Sequence, residues 1–173
     1  MKRVFAIVIA LGLSFSMFTL TGCVSPASNS SNTKSTAAAQ DENFSLNDTA
    51  TFKNIKVTAN EIIINPGSDY IKPADGKEFV AVKFTIENIS KEDQSISSIL
   101  LFDAYADNVK CEYSFSATQG LSGTLDGTVS PGKQLVGYYG VEVPKDTKKL
   151  DLGVKGSWLG SEKAQFIFDV PAK

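Results

Sequence analysis

The side chains able to do chemistry in this sequence are few in kind. The 173 residues hold 19 acids and two cysteines but no histidine. Without imidazole there is no Ser-His-Asp or Cys-His nucleophile pair and no histidine metal ligand. Serines are plentiful, yet no Gly-x-Ser-x-Gly elbow occurs. Asp103, Asp107 and Asp126 are the oxygen donors to weigh for Ca²⁺, but their spacing fits no calcium loop, and turn acids look the same. Glu61, Glu87, Glu112 and Glu142 are the candidates for the paired carboxylates of a glycosidase. Outward-facing acids on antiparallel strands give the same pattern. The expectation is therefore a chain that is not an enzyme, with no catalytic residues, no metal site and no cofactor.

The remaining candidates concern contact. Ser157-Trp158-Leu159-Gly160 places the only tryptophan beside a leucine in a glycine-bounded loop. Trp is favoured at binding hot spots, and the competing reading is a ring folded back to cap the domain. Tyr138 shares the ambiguity, because it faces out if Tyr139 faces the core. Trp158, Leu159 and Tyr138 are thus the candidate binding surface. Cys111 reads as a small buried apolar residue.

The first 23 residues give an address. Lys2 and Arg3 precede an apolar stretch from Val4 to Leu20, and Leu20-Thr21-Gly22-Cys23 comes next. A charged start, an apolar stretch and small residues before a cut make a secretory signal. The tetrapeptide resembles the lipobox of bacterial lipoproteins. That resemblance implies cleavage between Gly22 and Cys23 and a diacylglyceryl group on the Cys23 sulfur. Stable anchoring takes roughly two acyl chains, which a diacyl group supplies. The alternatives are an uncleaved span, short for a bilayer that needs about 20 apolar residues, and an ordinary secretory signal. The expected setting is the extracytoplasmic face of a cell membrane.

Loss of residues 1–22 removes both methionines and the only arginine, leaving 15 lysines against 19 acids. A net-negative chain without Arg is a poor nucleic-acid binder. With Cys23 lipidated, Cys111 has no partner for a disulfide within the chain.

Residues 23–45 read as the lipidated cysteine and a flexible linker rich in Ser, Thr, Ala and Asn, and residues 46–173 as the folded domain. The domain is written in short alternating apolar runs, split by Gly, Pro, Asn and Asp. They are Thr51 to Thr58, Glu61 to Ile64, Val80 to Ile86, Ile99 to Ala106, Val109 to Phe115, Gln134 to Val143, Leu150 to Val154 and Phe166 to Val170, with Gly120 to Thr124 weaker. Leu100, Phe102 and Ala104 form one expected face, and Val82, Phe84, Tyr139, Val141 and Phe168 are expected in the core. Seven to nine such strands predict an all-β chain, an antiparallel β-sandwich of immunoglobulin-like type.

Gly76 to Val82, Glu87-Asn88-Ile89-Ser90, Ser130-Pro131-Gly132-Lys133 and Val141-Glu142-Val143-Pro144 carry a second resemblance. This stretch is similar to a domain family of unknown function with an immunoglobulin-like fold, common on lipoproteins of Gram-positive bacteria. In fold that family resembles the mycobacterial secreted immunoprotective extracellular antigen. The resemblance covers roughly residues 52–170 and implies no activity and no ligand residues. Together the signal and the domain lead to the expectation of a membrane-anchored envelope lipoprotein presenting a binding or accessory module. Its partner would be an envelope protein, a glycan or a host molecule. An inhibitor or immunity lipoprotein, marked by a deep-reaching loop such as Gln119 to Gly132, and a small hydrolase, marked by a cleft with paired carboxylates, are the alternatives.

Overall fold

A computed structural model describes residues 43–172, so the signal segment, Cys23 and most of the linker lie outside the described residues. Alternation of apolar and polar residues produces half-buried strands, and here they form two sheets packed face to face. The first sheet has the order β2-β3-β4-β9, built from Thr49–Thr51, Ile55–Asn65, Lys77–Asn88 and Gln134–Pro144. The second has the order β1-β11-β10-β6-β7, built from Asn43–Phe44, Lys163–Asp169, Lys149–Lys155, Phe102–Ala106 and Val109–Cys111. A small ladder joins β5 (Gln94–Ile96) to β8 (Gly127–Val129). Every strand pair is antiparallel except β1 with β11.

The core lies between the sheets. Val82, Phe84, Tyr139, Val141 and Phe168 are all buried in it, as the alternation predicts. Phe84 stands at the centre, with ring centroids 5.2 Å from Phe102 and 5.6 Å from Phe166 on the opposite sheet. Phe44 is buried in the same core and its strand pairs with β11.

Several strand expectations need correction. Ile99 to Ala106 is not one strand. Ser98–Leu101 forms a single helical turn, α1, and β6 starts at Phe102, which leaves Leu100 exposed instead of facing the core. The Asp126 carboxylate causes this, accepting the Ser98 backbone N–H at 2.9 Å and its hydroxyl at 2.8 Å. Val109 to Phe115 stops pairing with β6 at Cys111. Tyr113 then bridges to Val141, so the chain crosses between sheets, and Phe115–Thr118 makes a 3-10 turn. Gly120 to Thr124 contains no strand. Thr51 to Thr58 is broken by a turn, in which Phe52 N–H donates to Ile55 O at 2.9 Å. Ile55 to Val57 and Glu61 to Ile64 instead belong to one strand, whose register slips between Ala59 and Glu61. Such a bulge moves the apolar phase by one residue, which is why the run looks like two strands in sequence.

Asn88 shows what the Asn-x-Ser motif does. Its fully buried side chain donates to the carbonyls of Glu92 and Val129, both at 2.7 Å, and its oxygen accepts the Ser90 N–H at 2.9 Å. One side chain thereby ties the loop after β4 to β8.

Candidate functional site

The β10–β11 loop carries the first two candidate residues. Gly156 N–H donates to Glu162 O at 3.1 Å and closes the loop's base. A side chain at 156 would enter the Phe52 ring, with a Cβ only 2.6 Å from it, so the close approach demands glycine. At the tip, Gly160 N–H donates to Ser157 O at 3.2 Å and Leu159 N–H to Ser157 Oγ at 3.3 Å. This turn puts Trp158 and Leu159 at its two central positions, where side chains point away from the fold. They are 61% and 77% exposed, so the tryptophan does not cap the sandwich.

Tyr138 sits on the other sheet, on its outer face. Register places Lys83 beside Tyr138 and Glu61 beside Lys83. The Tyr138 hydroxyl donates to Glu61 Oε2 at 3.0 Å, and Lys83 Nζ lies 5.7 Å from its ring centroid. Burial first, and then the Glu61 carboxylate that holds its proton, push the Tyr138 hydroxyl above its ordinary value. The three candidate residues therefore stand on two sheets. Tyr138 instead borders a groove of about 380 Å³ with Ile99, Phe115 and Leu121. Ile99 is 71% and Phe115 67% exposed.

The apolar runs in the sequence put both Ile99 and Phe115 in strands. The available signal was Ile99-Leu100-Leu101-Phe102, four apolar residues in a row, which breaks the alternation of a half-buried strand. The turn bearing Phe115 is fixed from below, because Asn65 Nδ2 donates to the carbonyls of Ala117 at 2.9 Å and Gln119 at 3.0 Å.

A larger cleft of about 670 Å³ opens between the β6–β7 hairpin and the end of β9. Cys111 lines it half-buried rather than buried, and burial pushes its thiol up to about 11. Glu112 and Glu142 line it too. Glu112 is exposed and 3.7 Å from Lys110, while Glu142 accepts the Ala74 N–H at 2.7 Å.

The other acids hold structure. Asp107 accepts the backbone N–H groups of Lys148 and Lys149, which keep its carboxyl below the usual value. Asp103 pairs with Lys155 at 3.8 Å and Lys163 at 3.2 Å. Glu87 stands opposite Lys56 across the β3–β4 ladder. Among the described residues, no three acids or cysteines gather as a metal site would require. Ser130 and Lys133 have the spacing of a serine–lysine dyad. They flank the exposed Pro131-Gly132 turn, where Lys133 N–H donates to Ser130 O at 3.0 Å. The segment 119–132 does not project as a plug. Leu125 is buried in the core, and Thr124 packs against Gly137.

Two facing sheets of almost wholly antiparallel strands define an immunoglobulin-like β-sandwich, with apolar side chains displayed on its turns. Residues 44–165 match a family described as Domain of unknown function (DUF4352), and the chain belongs to that family. No curated protein matches the sequence. Among solved structures, a candidate lipoprotein (ycdA) from Bacillus subtilis is similar at TM-score 0.60 and 17% identity, over 72% of this chain and 39% of that one. This chain thus spans well under half the length of that relative. A β-sandwich protein from Clostridium difficile is similar at TM-score 0.50 and 15% identity, over 76% and 97% of the two chains. The secreted protein MPT63 of Mycobacterium tuberculosis is similar at TM-score 0.52 and 13% identity, over 76% and 99%. At these identities the likeness is one of fold.

Proposed function

We propose that this chain is a lipoprotein held to the extracytoplasmic face of a cell membrane through Cys23, and that its sandwich is a binding or accessory module rather than a catalyst. The anchor is supported by Leu20-Thr21-Gly22-Cys23 and by the likeness to a candidate lipoprotein. The observation that carries the binding reading is the pattern of exposure. Large apolar side chains stand out at Trp158 and Leu159 and again at Ile99 and Phe115, while Asp126, Asp107 and Asp103 are committed to backbone N–H groups, a hydroxyl and lysines. Exposed apolar clusters mark contact surfaces. A sandwich binds through end loops or edge strands and needs no cofactor. The partner class is an envelope protein, a glycan or a host molecule.

The hydrolase alternative draws on Glu112 and Glu142 in the 670 Å³ cleft. A general acid at neutral pH needs a desolvated carboxyl, and Glu112 is open to water. The test is capture by the wild-type chain, against envelope proteins and glycans, compared with capture by Phe115→Ala. A partner retained by the first and lost by the second supports the module. Equal capture would remove the groove from the site, and turnover of a glycan abolished by Glu142→Gln would replace the reading with the hydrolase.

A further inference from the structure

The loop that exposes Trp158 and Leu159 lies at the end of the sandwich where the chain enters it. β1 runs parallel to β11, with Asn43 opposite Gln165 and Phe44 opposite Phe166. The N-terminal end of β1 therefore points toward the start of β11. Only Lys163 and Ala164 of that strand separate Gln165 from the loop. Residues 24–42 are all that lie between Cys23 and Asn43. A segment of that length reaches at most about 65 Å. With Cys23 in a bilayer, the chain that comes from it joins the domain at the end that carries the apolar tip.

From the entry point, the short connection and the exposed tip, we propose that Trp158 and Leu159 seat in the interfacial layer of the bilayer to which Cys23 is anchored. They form a second membrane contact that orients the sandwich. The inference rests on the lipid anchor of the proposed function.

The chemistry of the tip suits that place. Gly156 to Ser161 carries no charge to desolvate. The turn bonds at Ser157 already satisfy the N–H groups of Leu159 and Gly160. Trp joins an apolar body to one N–H donor, the combination favoured at membrane–water interfaces. Tethering raises the local concentration of the loop at the surface, so a contact too weak to form alone stays engaged.

Trp158 is the only tryptophan, so its emission reports this contact alone. The lipidated mature chain is reconstituted in vesicles of phosphatidylglycerol and phosphatidylcholine, with and without bromine on the acyl chains. The expected result is blue-shifted emission, quenching by the brominated lipid and protection from aqueous iodide. Leu159→Ser should reduce all three. Flotation and the mass of the N-terminal residue are read on the same sample. A lipidated, floating protein whose Trp158 ignores bromine and is quenched by iodide overturns the inference alone. Shielding that appears only when envelope proteins are added also overturns it, and gives the loop to a protein partner. An unmodified Cys23 thiol overturns the anchor and the inference together.

Discussion

Replacement of Phe84 by Ala tests the packing argument at its centre. Phe84 is fully buried, and its ring meets Phe102 at 5.2 Å and Phe166 at 5.6 Å across the two sheets. Truncating a buried Phe costs about 3–5 kcal/mol, because transfer energy is lost and a cavity is left. Two ring contacts, each worth about 0.5–1.5 kcal/mol beyond area, place this site in the upper half of that range. Against a total near 5–15 kcal/mol, the loss removes a large share of stability. The neighbouring Lys83 faces outward, and Lys83→Ala should cost only the stack on Tyr138, about 0.5–1 kcal/mol at an exposed site. Urea titration followed by far-UV circular dichroism is the assay. Trp158 fluorescence would serve poorly, because the ring is already exposed in the folded chain. An unchanged slope with a lowered midpoint identifies a change in stability. Equal losses for the two variants, or a loss under about 1 kcal/mol at Phe84, would refute the assignment of inner and outer faces.

Three other outcomes rest on particular contacts. Asn88→Ala strips the carbonyls of Glu92 and Val129 of a donor, and should cost about 2–3 kcal/mol by the same titration. Gly137→Ala would place a Cβ 2.3 Å from the Thr124 backbone, so the segment leading to Leu125 must shift, at about 1–3 kcal/mol; native-like stability there would mean the segment is not packed against β9. The thiol of Cys111, raised from 9 to about 11, should resist iodoacetamide near pH 9 in the folded Cys23→Ala chain and react readily once unfolded in urea. Since the folded value is the higher one, its stabilisation is complete below pH 9 and is lost as pH rises toward 11.

What could be read from sequence was periodicity, and periodicity fails where the backbone departs from a flat strand. Val80 to Ile86 and Leu150 to Val154 keep strict alternation, and both form strands with the expected inner faces. The bulge after Ala59 shifts phase and hides one long strand as two. Ile99 and Phe115 depart from the strand pattern for a different reason. The groups that hold their turns, the Asp126 carboxylate and the Asn65 amide, are 28 and 52 residues distant from their nearest partners in the chain. No local pattern records such a bond, so the groove beside Tyr138 was illegible while Tyr138 itself was not. The opposite holds for Trp158. Its turn is made within Ser157 to Gly160, and the glycine-bounded tip was visible from four consecutive residues.

The same distinction bears on how the module would meet a partner. β10 begins at Lys149, beside the Asp107 hairpin and the Cys111 cleft, and ends at Lys155 beside the Trp158 loop. Seven strand residues separate those ends by roughly 20 Å or more. Tyr70, 97% exposed in the loop between β3 and β4, belongs to the cleft end, since Lys77 pairs with Pro144. A sandwich resting its loop on the bilayer would hold the cleft and Tyr70 outward, with the Ile99–Phe115 groove on its flank. The loop is short, uncharged and locally stabilised, which suits a surface without fixed shape such as a lipid layer. The groove is walled by two turns pinned from distant parts of the chain, which suits a partner of defined shape. Orientation by the first surface would then decide which molecules of the envelope can reach the second.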